Sequence, residues 1–436
     1  MKTIGSEAIT LEDLNKLIRV ELPLTVVSLK ADSFLTKVLE CNLYDTEGNI
    51  IIDGKLIRKK NTSKGKYLEG PKEISIPEGV ISIEDYIQWE EVNRDDVKKL
   101  TLPTSLKQIG KKAFIGFSVT SIKLPKNLEI IRYGAFIGCS FKTLTIPDNV
   151  KIIDDFAFSN CLDLKKVKIG KNVEYIGKGV FTGDNKIESI EGKYSSADKN
   201  ILVVDNTLLH VVAKNIPSEF EIPSGITKIV AYACSFLNLE KITIPETVET
   251  IEENSFDMCK IKKFEGKFIE NGMVIVDDVL IKAEYNTSEN KDLVIPEKVT
   301  KIGDGALQLT SFDVHLPSQL KIIGKSAFVG NWDNQNNCKE ILLPNSLEVI
   351  GSSAFCYWKR EQFKDGRFVI PKNVKYIGHS ALTCKGGDIW FEPVIPPKFE
   401  DKGIFYATNV FVPAESIEAY KEALPERAEN IHEWEL

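Results

Sequence analysis

The chain has 436 residues, of which 43% are hydrophobic and 27% are charged, a balance that is typical of a globular protein with a large buried core. The formal net charge is −7, and no basic run with interleaved aromatic residues occurs, which argues against a nucleic-acid partner. No apolar run is long enough to span a membrane, so no membrane insertion is expected.

Residues 1–19 predict a short N-terminal helical cap. Thr10 and Asp13 form a potential capping box, and an apolar stripe of helical spacing follows, made of Leu11, Leu14, Leu17 and Ile18. This stretch has no apolar segment of the secretory type. We expect the helix to cover the exposed end of whatever array follows it.

Residues 98–164 repeat one pattern three times. Pro103, Pro125 and Pro147 recur every 22 residues, and in each copy an apolar residue follows at the third and at the sixth position. An alanine and a phenylalanine come next, as Ala113-Phe114, Ala135-Phe136 and Ala157-Phe158. A period of this length predicts a solenoid, because one coil cannot bury its apolar side without neighbouring coils.

The same spacing extends over about twelve coils, whose other anchors are Pro23, Pro77, Gly170, Pro223, Pro245, Pro296, Pro317, Pro344 and Pro371. These residues resemble the BspA-type (Treponema-type) leucine-rich repeat, with the pattern LxxIxLPxxLxxIgxxAFxxC. Departures occur at Gly170 in place of proline, and at Gln88 and Cys234 in place of the aromatic residue. The predicted fold is a β-rich solenoid over residues 20–393, with a parallel strand ladder, three β-hairpin inserts and terminal caps.

The hairpin inserts are expected near residues 45–70, 192–216 and 264–292. In each, two runs rich in β-forming residues flank a pair that suits a tight turn, and these pairs are Asp53-Gly54, Asp205-Asn206 and Asp277-Asp278. Residues 394–436 leave the repeat and predict a C-terminal cap with a closing helix, in which Ile417, Tyr420 and Leu424 share one face.

Three coils are about five residues longer than the others, and their extensions contain Trp89, Trp332 and Trp358. Neighbouring coils stack, so Trp332 should lie close to Tyr357, Trp358 and Phe363 in a rim that contacts a ligand. The alternative interpretation is that these rings bury against one another and seal the longer loops.

Alternation along each strand predicts which residues point outward. Among the outward residues, Asp313, His315 and Glu340 are further candidates for partner binding. A plain solvated sheet face remains the alternative.

The sequence contains no recognisable catalytic motif, and its four histidines have no metal-ligand spacing. The eight cysteines form no CxxC pair, and Cys139, Cys161 and Cys259 recur at one position of the repeat, as expected for buried packing residues. We therefore expect no enzyme activity, no cofactor and no metal.

The resemblance implies a non-enzymatic, adhesin-like scaffold that binds a protein partner at a cell surface. Two alternatives stay open: a carbohydrate-binding module that uses Trp332 and Trp358 as stacking platforms, and an intracellular recognition subunit. The lack of a signal segment indicates the cytoplasm, whereas the resemblance indicates the cell surface or secretion.

Overall fold

The structure is a computed structural model that describes residues 2–3, 26–28, 49–52, 55–60, 72–90, 92–184, 186–285, 292–308, 313–329, 341–356, 367–383, 388–400 and 408–434. The chain divides into two compact units, Met1–Val204 and Asp205–Leu436. Each unit is a β-solenoid built from short parallel strands.

Most coils are shaped by a proline and by a pair that begins with alanine, usually Ala-Phe. The proline carbonyl accepts a hydrogen bond from the N–H three residues later, as in Leu106 N to Pro103 O (3.3 Å) and Leu128 N to Pro125 O (3.1 Å), which closes a turn between two strands. A second turn precedes the alanine and uses a residue with positive φ, for example Gly134 at 59°. The two turns bring the chain back to the start of the next coil.

Backbone hydrogen bonds between coils fix the register. The Phe114 N–H donates to Ala135 O (2.8 Å), and the Phe136 N–H donates to Ala157 O (2.9 Å). The apolar positions of successive coils therefore coincide, and the Phe114, Phe136 and Phe158 rings stack with centroids 5.3 Å apart at each step. All three rings are completely buried.

The described residues of the first unit form four groups of paired strands. The longest sheet runs, in spatial order, through Tyr175–Ile176, Ile152–Ile153, Ile130–Ile131, Gln108–Ile109, Ser82–Glu90, Lys55–Lys60 and Asn49–Ile52. The others are Thr143–Thr145 with Lys166–Lys168 and Ser189–Glu191, Glu73–Ser75 with Lys99–Thr101, and Lys2–Thr3 with Val26–Ser28. The strands Asn49–Ile52 and Lys55–Lys60 pair antiparallel and form the first hairpin insert. The strand Ile201–Val204 ends the unit.

The second unit has its longest sheet over Ile269–Glu270, Met273–Val276, Val279–Ala283, Lys301–Ile302, Ile322–Ile323, Val349–Ile350, Tyr376–Ile377 and Lys398–Phe399. Further sheets are Thr207–Val211 with Lys228–Ile229 and Thr250–Ile251, Glu219–Glu221 with Lys241–Ile244 and Phe264–Gly266, Asn238–Leu239 with Lys260–Ile261, Asp292–Val294 with Asp313–His315, and Phe368–Ile370 with Ile389–Phe391, Val410–Pro413 and Ile431–Trp434.

A tight turn joins the strands of the last hairpin insert. Met273–Val276 and Val279–Ala283 pair antiparallel across Asp277 and Asp278, whose φ angles are 47° and 59°. Asp205 and Asn206, which stand between Ile201–Val204 and Thr207–Val211, also have positive φ (46° and 61°). Such angles suit the type I′ turn of a two-residue hairpin.

The C-terminal end is covered by the helix Ile417–Ala423, between the 3-10 turns Ala414–Ser416 and Pro425–Asn430. Tyr420 and Leu424 are fully buried, and Ile417 packs against the same core. The Tyr420 hydroxyl donates to Pro393 O at 2.9 Å, which satisfies its one buried polar group. Of residues 1–19, the structure describes only 2–3, so the predicted N-terminal helix lies outside the described residues.

Candidate binding face

The candidate residues predicted from the sequence fall into two groups. Asp313 and His315 belong to the strand Asp313–His315, which pairs in parallel with Asp292–Val294. His315 is exposed, and its Nε2 lies 3.4 Å from Asp292 Oδ2. The other candidates lie outside the described residues, namely Trp332, Glu340, Tyr357, Trp358 and Phe363.

The tryptophan of the first extended coil does not belong to an exposed rim. Trp89 is only 9% exposed, and its ring packs 5.4 Å from Phe114 and 5.2 Å from Phe117. Its Nε1 donates to Ala113 O at 2.7 Å. Trp89 therefore seals the core at the start of the phenylalanine stack.

A different set of residues stands out on the second unit, at one outward position of successive coils. We call it the outward row, and it consists of Val294, His315, Leu342, Val369, Trp390, Phe411 and His432. Strand pairing aligns Val294 with His315, and it aligns Val369, Trp390, Phe411 and His432 with one another. Leu342 occupies the same place, two residues before its proline, in the intervening coil.

Alternation along the strands explains why this row faces outward. The neighbouring residues on the same strands belong to the core, for example Val314, Ile389 and Phe391. Because side chains alternate between the two faces of a strand, the residues between them point away from the core. Val294 and Leu342 are accordingly 62% and 57% exposed.

The C-terminal part of the row is a packed aromatic cluster. Trp390 and Phe411 stack with centroids 5.0 Å apart, and the Arg367 guanidinium lies 5.5 Å from the centre of the Trp390 ring. His432 continues the cluster 5.6 Å from Phe411. Trp390 is only 8% exposed, so Arg367, Phe411 and His432 supply most of the accessible surface here.

The residues at the equivalent position elsewhere are polar. In the first unit they are Thr101, Lys123, Thr145, Lys168 and Glu191, and earlier in the second unit they are Glu221, Thr243 and Glu265. From Val294 onward the row consists of apolar, aromatic and histidine residues. Core packing does not require this change at Val294, His315 or Leu342, because all three side chains are exposed.

A crevice of about 210 Å³ opens beside the start of the row. It is lined by Asn271, Met273, Glu284, Asp292 and Val294, together with backbone around them. The crevice thus places polar groups next to an exposed apolar side chain, which is the combination that binding surfaces use to fix orientation.

Burial favours the neutral forms of titratable groups inside the solenoid. Burial lowers the pKa of His210 to about 4 and raises the pKa of the Cys139 and Cys259 thiols to about 12. The Cys139 thiol lies 3.1 Å from Phe114 O in the preceding coil, so it acts as packing and a weak donor. Within the described ranges, no three His, Cys, Asp or Glu residues are arranged to hold a metal ion.

Trp390 and Phe411 were not among the residues singled out from the sequence. The sequence feature that could have identified them is the strand alternation in Ile389-Trp390-Phe391 and Val410-Phe411-Val412, where the middle residue has the outward phase.

In the part of the chain that the structure describes, no helix has the length and apolar character needed to cross a membrane.

Comparison with known proteins assigns the repeat. A family model described as the BspA type Leucine rich repeat region (6 copies) matches residues 91–200, 213–328 and 279–386. No curated protein matches the chain.

Two solved structures are among those that match the chain. The pneumococcal vaccine antigen PcpA is 16% identical, with 87% of this chain and 83% of that chain covered at a TM-score of 0.39. A leucine-rich repeat protein from Bacteroides ovatus is 19% identical, with 90% and 97% covered at a TM-score of 0.37. The family match spans more than half of the chain, and the repeat positions that it describes are those that build the core. The chain belongs to the BspA-type leucine-rich repeat family.

Proposed function

We propose that the chain is a non-catalytic scaffold of the adhesin-like kind, which binds a protein partner at a cell surface through the outward row of its second unit. The observation that carries the proposal is the exposure of Val294 and Leu342 on a sheet face whose other coils present polar residues. Contiguous exposed apolar residues with a polar surround are typical of protein-binding surfaces.

Two further features support this assignment. Arg367, Trp390 and Phe411 form a pre-packed cluster, and tryptophan and arginine are enriched among the residues that dominate binding energy. Six of the seven residues in the row, all except Leu342, lie on strands, so a partner would meet side chains that are largely ordered before binding. Asp313 and His315 belong to the same surface in this proposal.

The test uses Leu342→Asp in the full chain, with Leu162→Asp as the matched control. Both leucines are similarly exposed (57% and 56%), but Leu162 lies in the first unit. A photo-crosslinking residue at position 342 first captures the partner from extracellular and cell-surface proteins, and the dissociation constant is then measured with the purified partner. We expect Leu342→Asp to weaken binding by about 2 kcal/mol, or about thirtyfold.

Both variants should keep the thermal midpoint of the parent, because neither side chain is in the core. Equal binding by the parent and Leu342→Asp would refute the assignment of this face. Equal weakening by Leu342→Asp and Leu162→Asp would also refute it, because the effect would then come from added negative charge at either site.

A further inference from the structure

The first unit carries a second, chemically different surface on its strand face. We call it the lysine face, and it consists of Lys123, Lys142, Lys165, Lys166 and Lys168, all of which are exposed. Lys166 pairs with Thr143 and Ser189, and Lys168 pairs with Thr145 and Glu191. The Lys165 N–H donates to Lys142 O at 3.0 Å, which sets these two lysines on adjacent coils.

The carboxylates near this face are engaged by other lysines. Lys186 Nζ lies 2.8 Å from Asp163, and Lys199 Nζ lies 2.7 Å from Glu191. Asp148 accepts a hydrogen bond from the Lys171 N–H at 3.1 Å and lies 3.5 Å from Lys171 Nζ. None of the five lysines forms an ion pair with another residue in the described part of the chain.

The second unit shows how the same repeat position is neutralised. Lys241 stands four residues before its proline, where Lys166 stands relative to Gly170. Lys241 Nζ lies 2.8 Å from Glu219 and 3.6 Å from Glu265, on the strands at either side. Opposite charges across strands stabilise a sheet, and neighbouring like charges destabilise it. Lys166, which stands between Thr143 and Ser189, therefore lacks the close ion pairs that Lys241 has.

The composition of the face restricts its partner. The residues between the lysines are hydroxyl-bearing, namely Ser121, Thr143, Thr145 and Ser189, and they offer no large apolar anchor of the kind that a protein interface uses. The face also has no aromatic residues on which nucleic-acid bases would stack. Affinity here would come from charge and from hydrogen bonds alone.

We propose that the lysine face binds a sulfated polysaccharide. Sulfate groups stay ionised at physiological pH, and sugar hydroxyls can pair with the threonines and serines. Adjacent coils are about 4.8 Å apart, a spacing close to the length of one pyranose unit, so successive sugars can meet successive coils. This surface is separate from the outward row, and neither proposal depends on the other.

The test measures binding of heparin, chemically desulfated heparin and double-stranded DNA to the full chain at several salt concentrations. The variant is Lys166→Gln with Lys168→Gln, and the control is Lys241→Gln. Each lysine close to an anionic surface contributes about a factor of five, so the double variant should bind heparin about twenty-five-fold more weakly. The control should bind like the parent, because the Lys241 charge is already paired.

Circular dichroism checks that the double variant folds, and Lys123→Gln, on another coil, gives an independent variant that should lose about fivefold. Binding that weakens with added salt and disappears on desulfation supports the proposal. Equal heparin binding by the parent and the lysine variants would overturn it, and so would binding of DNA as tight as that of heparin at physiological salt.

Discussion

Replacement of Phe136 by alanine tests the stacked core directly. The ring is fully buried between Phe114 and Phe158, with centroids 5.3 Å from each, and the Phe141 ring packs in an edge-on arrangement with its centroid 5.6 Å away. A phenylalanine-to-alanine change in a core costs about 3–5 kcal/mol. The variant also loses two stacked pairs, each worth about 0.5–1.5 kcal/mol beyond buried area. We therefore expect the upper end of that range, about 5 kcal/mol.

The free energy of unfolding is measured from urea titrations followed by far-ultraviolet circular dichroism, with the slopes of parent and variant compared. Leu162→Ala is the control, because this side chain is 56% exposed and its removal should change stability by less than about 0.5 kcal/mol. If Phe136→Ala loses no more stability than the control, the ring does not hold adjacent coils together, and the assigned phase of the repeat is refuted.

Two further predictions concern buried ionisable groups. Burial raises the pKa of Asp184 well above its ordinary value. The folded chain therefore keeps a proton that the unfolded chain releases above about pH 4. The free energy of unfolding consequently falls as the pH rises from about 4 toward the folded-state pKa. The stability of Asp184→Asn relative to that of the parent should thus rise as the pH increases from about 4 to 7, and parallel pH profiles of the two proteins would contradict this reasoning. Cys139, with a pKa raised to about 12 by burial, should react with a thiol reagent only after unfolding, as followed by mass spectrometry; rapid labelling of the folded chain would contradict its buried placement.

The sequence predicts the core of the coils well because each repeated residue has one structural role: proline closes a turn, and isoleucine, alanine and phenylalanine fill the core. It fails at Gln88, which the fixed spacing places at the aromatic position. In the structure, Tyr86 adopts a positive φ of 54°. The register between the strands Lys55–Lys60 and Ser82–Glu90 changes here, because Leu56 pairs with Ile83 but Arg58 pairs with Gln88. This bulge moves Trp89 into the stack. A large ring next to Phe114 buries more apolar surface than a glutamine, and the backbone adjusts to allow it.

The candidate face is only partly predictable for a related reason. Outward positions can be read from the sequence while prolines mark the phase, and this holds for Val294, His315, Leu342 and Val369. After Pro371 the proline that marks the phase is missing. Phe391 aligns with Ile370, so Glu392 stands at the position that Pro371 occupies in the preceding coil. The outward placement of Trp390 depends on that pairing, and only the structure supplies it.

Stacking also explains how a solenoid can acquire different surfaces at little cost to its fold. Residues such as Phe136 contact the coils on both sides, so a change there disturbs two interfaces at once. Residues such as Leu342 and Lys166 face outward, so the core leaves their identity free. Because the strands of successive coils are in register, such outward positions recur on every coil, with neighbouring strands about 4.8 Å apart. Outward side chains of similar chemistry can thus lie next to one another on successive coils, as Trp390 and Phe411 do in the second unit and Lys142 and Lys165 do in the first. Substitutions in these rows should therefore change binding with the melting temperature preserved, whereas core substitutions change both.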